Sequence, residues 1–313
     1  MKRFLTYCVL FILPIALLFI AMEIIVGNIP NSYSYKYHYV KTNGDKIQAL
    51  VLGHSHLYDG FKPESFCLPA FNLCNSSQTY IDNYYLLLEL LPYLPELKVV
   101  IMPIGYMDVG VAGTGSKLTD RSCYYHKYMN LNYDGLLPIK YRLECFNPEL
   151  AREKIYLYYF NHSDIVGCDS LGRRNTHNLS NREHELGYVE YIRQYTLNEH
   201  DSQKLCLVDE EYLIRTFNLL MENNISIVLV SPPYYWNHSS GIVNMEQKRF
   251  ITDYMLDLCK KYPVHYLNLE SDTSYEYDDF FDETHLSEIG AEKFTQRLNA
   301  FVKDMLSLPN INK

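Results

Sequence analysis

Short, mostly apolar segments are the feature that most restricts how this chain can fold. Each is four to seven residues long and ends near a turn, and they lie at 47–52, 70–73, 98–104, 225–230 and 264–269. The first, 47–52, is a short continuous apolar run of the kind that is typical of a strand buried on both faces in a parallel sheet. Helical apolar spacing separates these segments, notably at 80–91 and 288–305. The order predicts a three-layer α/β/α sandwich with a mostly parallel five-stranded sheet.

A polar and aromatic stretch from 105 to about 209 interrupts this alternation. We interpret it as an insertion into a single domain that covers 46–313. Ligands of open parallel sheets bind beyond the carboxyl ends of the strands. An insertion after the third strand is therefore placed to cover such a site.

A longer apolar run, from Phe4 to Val26, follows Lys2 and Arg3. It is long enough to cross a bilayer, and basic residues in front of such a run tend to stay in the cytoplasm. Residues 1–27 are predicted to be an uncleaved membrane anchor, since Ala21-Met22-Glu23 is a poor cleavage site. A cleaved signal peptide and a buried helix are the alternatives. The polar residues 28–45 are interpreted as a linker, so the remaining domain is expected outside the cytoplasm, periplasmic or at the cell surface.

Composition narrows the classes of partner. The net charge of -9 and the absence of a Lys/Arg stripe argue against nucleic-acid binding. Eight cysteines contain no Cys-x-x-Cys pair, and no Cys/His spacing suits zinc, so no metal or other cofactor is predicted. The 30 tyrosines suit either the edge of the hydrophobic core, where their hydroxyl groups reach water, or a surface that stacks on sugars.

Two segments carry residues suited to nucleophilic catalysis. Gly53-His54-Ser55-His56 follows the first strand, and Asp282-Glu283-Thr284-His285 precedes the last helix. A serine hydroxyl needs a histidine to accept its proton, and that histidine needs a carboxylate to orient it. Ser55, His285 and Asp282 are therefore predicted to form a catalytic triad. As an alternative, a turn and a helix cap would explain the two segments without catalysis.

These two segments resemble the first and last blocks of the SGNH, or GDSL-like, hydrolases. With a histidine directly after the serine, the first segment resembles a membrane-anchored branch of the family that is related to the D-alanine transfer protein of teichoic acid synthesis. The resemblance implies an oxyanion hole made by the Ser55 backbone N–H and by donors in two further blocks. Asn75 and Gly105 are the candidates there, with His56 beside the nucleophile. The third block of the family carries an asparagine, which Gly105-Tyr106-Met107-Asp108 lacks.

The resemblance implies an esterase or O-acyltransferase that acts on an O-acylated glycan or envelope polymer through an acyl-enzyme. A membrane protein that donates acyl groups is a possible partner. Two alternatives stay open at this point. One is a non-catalytic module for glycan export or assembly, and the other is a metal-dependent hydrolase using His54, His56 and Asp282. Hydrolase and transferase use the same triad, so the acceptor is not predicted.

Overall fold

The computed structural model describes residues 2–105, 121–133, 142–182, 185–186, 199–235 and 245–307. The chain divides into two compact units. The helical unit comprises Met1–Tyr37 and Leu118–Gly167, and the sheet unit comprises His38–Lys117 and Cys168–Lys313.

The regular elements are named here in chain order. The strands are β1 (Ala49–Val51), β2 (Ala70–Asn72), β3 (Val99–Pro103), β4 (Ser226–Ser231) and β5 (His265–Asn268). The helices are α1 (Lys2–Gly27), α2 (Ser32–Asn43), α3 (Ser55–Gly60), α4 (Tyr80–Leu90), α5 (Ser122–Met129), α6 (Pro148–Ile155), α7 (Glu199–Glu222), α8 (Met245–Lys261) and α9 (Glu288–Ser307). A π-helical turn, Tyr156–Phe160, continues α6.

The sheet unit is built on five strands in the order β2-β1-β3-β4-β5, with every pair parallel. This confirms the predicted α/β fold and its five strands. In this strand order the chain reverses direction across the sheet between β1 and β3, and such a switch point opens a crevice at the carboxyl ends of the strands. The turn after β1 therefore lies at the place where a parallel sheet most readily forms a site.

Alternating side chains of the strands supply both faces of the sheet. Ala49 and Val51 lie in one buried cluster with Leu57 of α3 and Phe294 of α9. Leu50, between them, is also fully buried and points to the opposite face by the alternation of a strand. Helix α3 packs on α9, while α4 packs on α7 and α7 on α8. Burial on both faces explains the apolar character of β1, β3 and β4, whereas β5, at the edge of the sheet, is only partly buried.

The helical unit contains α1, which is long and apolar enough to cross a membrane over Arg3–Gly27. Its mean hydropathy is 2.9, and few of its residues are buried in the protein. A signal sequence near the N-terminus would have the same properties, so the helix alone does not establish an uncleaved anchor. Helix α1 packs on residues 144–146 and on α6.

Two segments differ from the boundaries expected from the sequence. Residues 28–45, interpreted as a linker, contain α2, which begins after Asn31. The Asn31 side chain accepts a hydrogen bond from the Ser34 backbone N–H at 3.0 Å, and Ser34 Oγ donates to the Asn31 carbonyl. This cap starts a helix that apolar periodicity does not signal. The expected insertion at 105–209 is also divided, because Leu118–Gly167 belongs to the helical unit and residues from Cys168 onward to the sheet unit.

Candidate active site

The turn between β1 and α3 presents Ser55. Gly53 has φ +132°, and a Cβ there would collide with the ring of Pro103, so only glycine fits without a shift. His54 is extended, and its Nδ1 accepts a long hydrogen bond from the His56 N–H at 3.5 Å. Ser55 is then the first residue of α3, half-buried at the end of the strand. The sequence folds here because β1 is buried and Gly53 permits the sharp reversal.

His285 joins Ser55 to Asp282. Its Nε2 lies 2.8 Å from Ser55 Oγ, and its Nδ1 lies 2.8 and 3.0 Å from the two Asp282 oxygens. The three predicted triad residues therefore meet in one chain of hydrogen bonds, although 230 positions separate the serine from the histidine. With Nδ1–H donating to the carboxylate, Nε2 is free to accept the Ser55 hydroxyl proton.

The loop holds Asp282 through several further donors. The backbone N–H groups of Thr284 and His285 each donate to Asp282 Oδ1 at 2.8 Å, and Thr284 Oγ1 lies 3.0 Å from the same oxygen. The His285 carbonyl accepts from the Phe281 N–H at 2.9 Å, which closes the loop. This fixes the carboxylate before any substrate binds.

The charges of this pair stabilise each other. Burial would raise the pKa of Asp282, but His285 and the backbone donors outweigh it and hold the pKa well below its usual range. Burial would lower the pKa of His285, and Asp282 outweighs it, so the pKa of the imidazole is raised above 6.5. Asp282 is thus ionised at neutral pH, and the imidazolium that forms during proton transfer has an anionic partner.

Of the three other predicted site residues, His56 contacts the triad directly, Asn75 contacts the turn before Ser55, and Gly105 follows β3. The His56 ring is 4.9 Å from that of His285, edge to face, and its Nδ1 lies 3.3 Å from the Tyr234 hydroxyl. The Asn75 N–H donates to the Gly53 carbonyl at 3.2 Å, and its side-chain amide donates to Gln78 Oε1 at 3.3 Å. Gly105 is buried just beyond β3. Residues 106–108, where the family's third block would lie, fall outside the described residues.

An ion pair that the sequence did not suggest, between the buried Asp59 and the partly exposed Arg174, lies beside the triad. Asp59, on α3, accepts two hydrogen bonds from Arg174, at 2.8 Å from Nε and 2.5 Å from Nη2. Arg174 Nη1 also donates to Ser76 Oγ at 3.0 Å. Arg174 therefore ties the helix that carries the nucleophile to the loop after β2.

His177 is a second buried histidine near the site. Its ring stacks on Phe281 at 4.3 Å and meets the His285 ring edge to face at 5.0 Å. Its Nδ1 is buried and has no hydrogen-bond partner among the residues that the structure describes, and it lies 3.7 Å from an Asp59 oxygen. Burial lowers the pKa of His177 to about 4, so the ring is neutral at neutral pH.

One signal in the sequence could have identified part of this cluster. Asp59 follows Ser55 by four positions on a helix, which places the two on the same face. Arg174 is 115 positions from Asp59, and no spacing rule connects them. Within the described residues, no group of three or more His, Cys, Asp or Glu side chains is arranged to hold a metal ion.

Comparison with known proteins adds little to this geometry. No protein-family model and no curated protein match the chain. Among solved structures, it aligns with a Streptococcus pneumoniae protein provisionally described as a platelet activating factor. They are 12% identical with a TM-score of 0.39, over 95% of this chain and 98% of the other. It also aligns with a Bacteroides fragilis protein provisionally described as an acylhydrolase, at 10% identity and a TM-score of 0.39, over 85% and 95%. At these TM-scores neither likeness carries an argument about function.

Proposed function

We propose that this protein is a serine esterase or O-acyltransferase with Ser55 as nucleophile, His285 as general base and acid, and Asp282 as its orienting carboxylate. The observation that carries the proposal is the pair of short contacts on opposite sides of the His285 ring, to Ser55 Oγ and to Asp282. If residues 282–285 served only to cap the last helix, they would need only the hydrogen bonds from backbone N–H groups to Asp282. It would not need a serine hydroxyl on Nε2, at the switch point of a parallel sheet.

The reaction follows from these positions. Ser55 Oγ attacks the carbonyl carbon of an ester while His285 Nε2 takes the hydroxyl proton, and the carbonyl electrons move to oxygen. When the tetrahedral intermediate collapses, the ester C–O bond breaks and His285 gives its proton to the departing alcohol. An acyl group then remains on Ser55. His285 next takes a proton from water or from a second alcohol, whose oxygen attacks the acyl carbon. The bond between that carbon and Ser55 Oγ then breaks, and His285 returns its proton to Ser55. Water as the acceptor gives an acid, and an alcohol gives a new ester.

The oxyanion of the intermediate needs donors, and the Ser55 backbone N–H at the start of α3 is the first candidate. We propose Asn75 and Gly105 as the sources of further donors, with His56 lining the same side. Losing one such donor typically costs about a hundredfold to a thousandfold in rate. An Asn75→Ala variant that folds and turns over normally would remove Asn75 from this role.

The substrate class is also a proposal. A membrane anchor at α1 would place the site outside the cytoplasm, and we propose an O-acylated glycan or envelope polymer there as the substrate. A membrane protein could then supply acyl groups to Ser55. The metal-dependent hydrolase finds less support, since both Asp282 oxygens already bond to His285.

The test is labelling of the full-length chain in detergent or lipid with a fluorophosphonate, followed by peptide mapping. We expect labelling at Ser55 alone, lost in Ser55→Ala and kept in a control variant of an exposed serine, Ser307→Ala. Turnover of an aryl ester, with and without added sugar alcohols, then separates hydrolysis from transfer. A folded protein that is neither labelled nor active, and whose Ser55→Ala variant keeps its biological role, would favour the non-catalytic module.

A further inference from the structure

The helical unit exposes a group of large apolar side chains after residue 144. Phe146 and Leu150 line one small cavity, and the π-helical turn that continues α6 carries three exposed aromatic residues. The aromatic patch, as we name this group, consists of Phe146, Leu150, Tyr156, Tyr159 and Phe160. Phe160 is 72% exposed and Tyr156 is 60% exposed, and their rings stack on each other. Apolar surface of this kind usually marks contact with a partner or a membrane.

The patch is continuous with the apolar surface of α1. The ring of Phe146 contacts that of Phe19, with centroids 5.5 Å apart. Phe19 belongs to the part of α1 that is long and apolar enough to cross a membrane. If α1 lies in a bilayer, Phe146 must lie at the same depth as Phe19.

Glu23 fixes that depth. Its carboxylate accepts hydrogen bonds from the Cys145 N–H at 3.0 Å and from Lys127 Nζ at 2.5 Å. A charged carboxylate and ammonium are costly within hydrocarbon, so this pair belongs at its edge or beyond. Phe19 is one turn deeper, roughly 6 Å along the helix. Phe146 therefore lies at the boundary between acyl chains and headgroups.

A second carboxylate holds α6 near the same level. Glu144 accepts from Lys127 at 3.0 Å and from Lys154 at 2.5 Å, so two carboxylates meet two ammonium groups and the charges balance. Lys154 lies in α6, two residues before Tyr156. The exposed turn Tyr156–Phe160 thus follows directly after an anchor point of this network.

From this continuity and depth, we propose that the aromatic patch inserts into the headgroup region of the bilayer that α1 crosses. Tyrosine is typical of the aromatic belts at membrane interfaces, and phenylalanine and leucine are typical of the membrane-facing side of interfacial segments. The aromatic patch therefore contacts lipid. The inference depends on α1 crossing the bilayer and not on the catalytic proposal.

Depth-dependent quenching of tryptophan fluorescence tests this in the full-length chain. The single tryptophan, Trp236, is first replaced by phenylalanine, and one tryptophan is then introduced by Phe160→Trp or, as a second variant, Tyr159→Trp. Each variant is reconstituted in nanodiscs of phosphatidylcholine brominated either near the ester carbonyls or near the chain ends. Phe11→Trp, within α1, reports whether that helix is inserted, and Tyr277→Trp, in the sheet unit, is the exposed control.

We expect the fluorescence of both patch variants, Phe160→Trp and Tyr159→Trp, to be lost with bromine near the carbonyls and largely kept with bromine near the chain ends. The α1 variant should be quenched by bromine deeper in the chains. The proposal would be overturned if α1 is inserted but neither patch variant is quenched more than the exposed control. The patch would then be available to another membrane protein. Absence of quenching in α1 itself would overturn it as well. Fluorophosphonate labelling of the same samples reports folding and the separate catalytic proposal.

Discussion

At the scale of single residues, the His285 ring links a serine hydroxyl to a carboxylate. Ser55 Oγ lies 2.8 Å from one ring nitrogen and the Asp282 carboxylate 2.8 Å from the other. Each contact depends on the tautomer that the opposite contact selects. The chemistry proposed for Ser55 therefore depends on Asp282, which acts on the serine only through the histidine.

Replacing Asp282 by asparagine tests that dependence. The amide can donate to Nδ1, which would favour the tautomer with the proton on Nε2 and leave no acceptor for the Ser55 hydroxyl. We expect kcat on an aryl ester to fall by about a thousandfold or more. Asp278→Asn is a matched control, since that carboxylate is largely exposed on the same loop. Equal losses in both variants would indicate damage to the loop rather than to the triad.

The pH dependence of the rate follows from the raised pKa of His285. The base must be neutral to accept a proton, so kcat/KM should rise with pH and level off once His285 has lost its proton. Because Asp282 raises the pKa of His285, the midpoint should lie above 6.5. Asp282 stays ionised throughout and contributes no step near neutrality. A midpoint below 6.5 in the wild-type pH profile would contradict this electrostatic description.

At the scale of elements, α3 has six residues and carries both Ser55 and Asp59. So short a helix has little stability of its own. Packing on α9 and the ion pair with Arg174 hold it, while Arg174 reaches Ser76 in the loop after β2. The position of the nucleophile is thereby coupled to the loop that carries Asn75.

We expect Asp59→Asn to lower the free energy of unfolding by about 2 kcal/mol, because the partly exposed Arg174 guanidinium loses its charged hydrogen-bond partner. Denaturant unfolding measures the loss. A double variant, Asp59→Leu with Arg174→Met, should recover much of it, since both charges are then absent. Asp59 also raises the pKa of His285, so Asp59→Asn should move the pH midpoint of kcat/KM downward. An unchanged midpoint would limit Asp59 to a structural role.

At the scale of the whole molecule, the lowered pKa of His177 makes folding sensitive to acid. His177 has a pKa of about 4 in the fold and about 6.5 when exposed, so the unfolded chain binds the proton more tightly. Its neutral ring therefore costs the fold nothing above about pH 6.5, and stability is lost as the pH falls from there toward 4. The loss amounts to at most about 3 kcal/mol.

A His177→Phe variant separates this effect from the rest of the chain. Phenylalanine can keep the stacking on Phe281 but cannot bind a proton. Unfolding measured between pH 7 and 4 should therefore show a shallower loss of stability in the variant than in the wild type. Parallel curves would mean that His177 does not contribute to the acid sensitivity.

The sequence predicted the parts of the fold that depend on burial along the chain. The five apolar runs became the five strands, and Ser55, Asp282 and His285 meet as their positions beside strands and helices suggested. Helix α2 was not predicted because a cap, rather than apolar spacing, starts it. Asp59, Arg174 and His177 were missed because their contacts join distant segments. The roles of Asn75, Gly105 and His56 stay predictions.

The distance along the chain between Ser55 and His285 has a consequence for biosynthesis. A ribosome makes the serine early and the histidine 230 positions later, close to α9. While the chain is still being synthesised, α1 can already be in the membrane, yet Ser55 has no base beside it. A chain whose synthesis stops before His285 would present Ser55 without its predicted base. The chemistry proposed for Ser55 could therefore begin only after residue 285 has been made and has folded back onto the turn after β1.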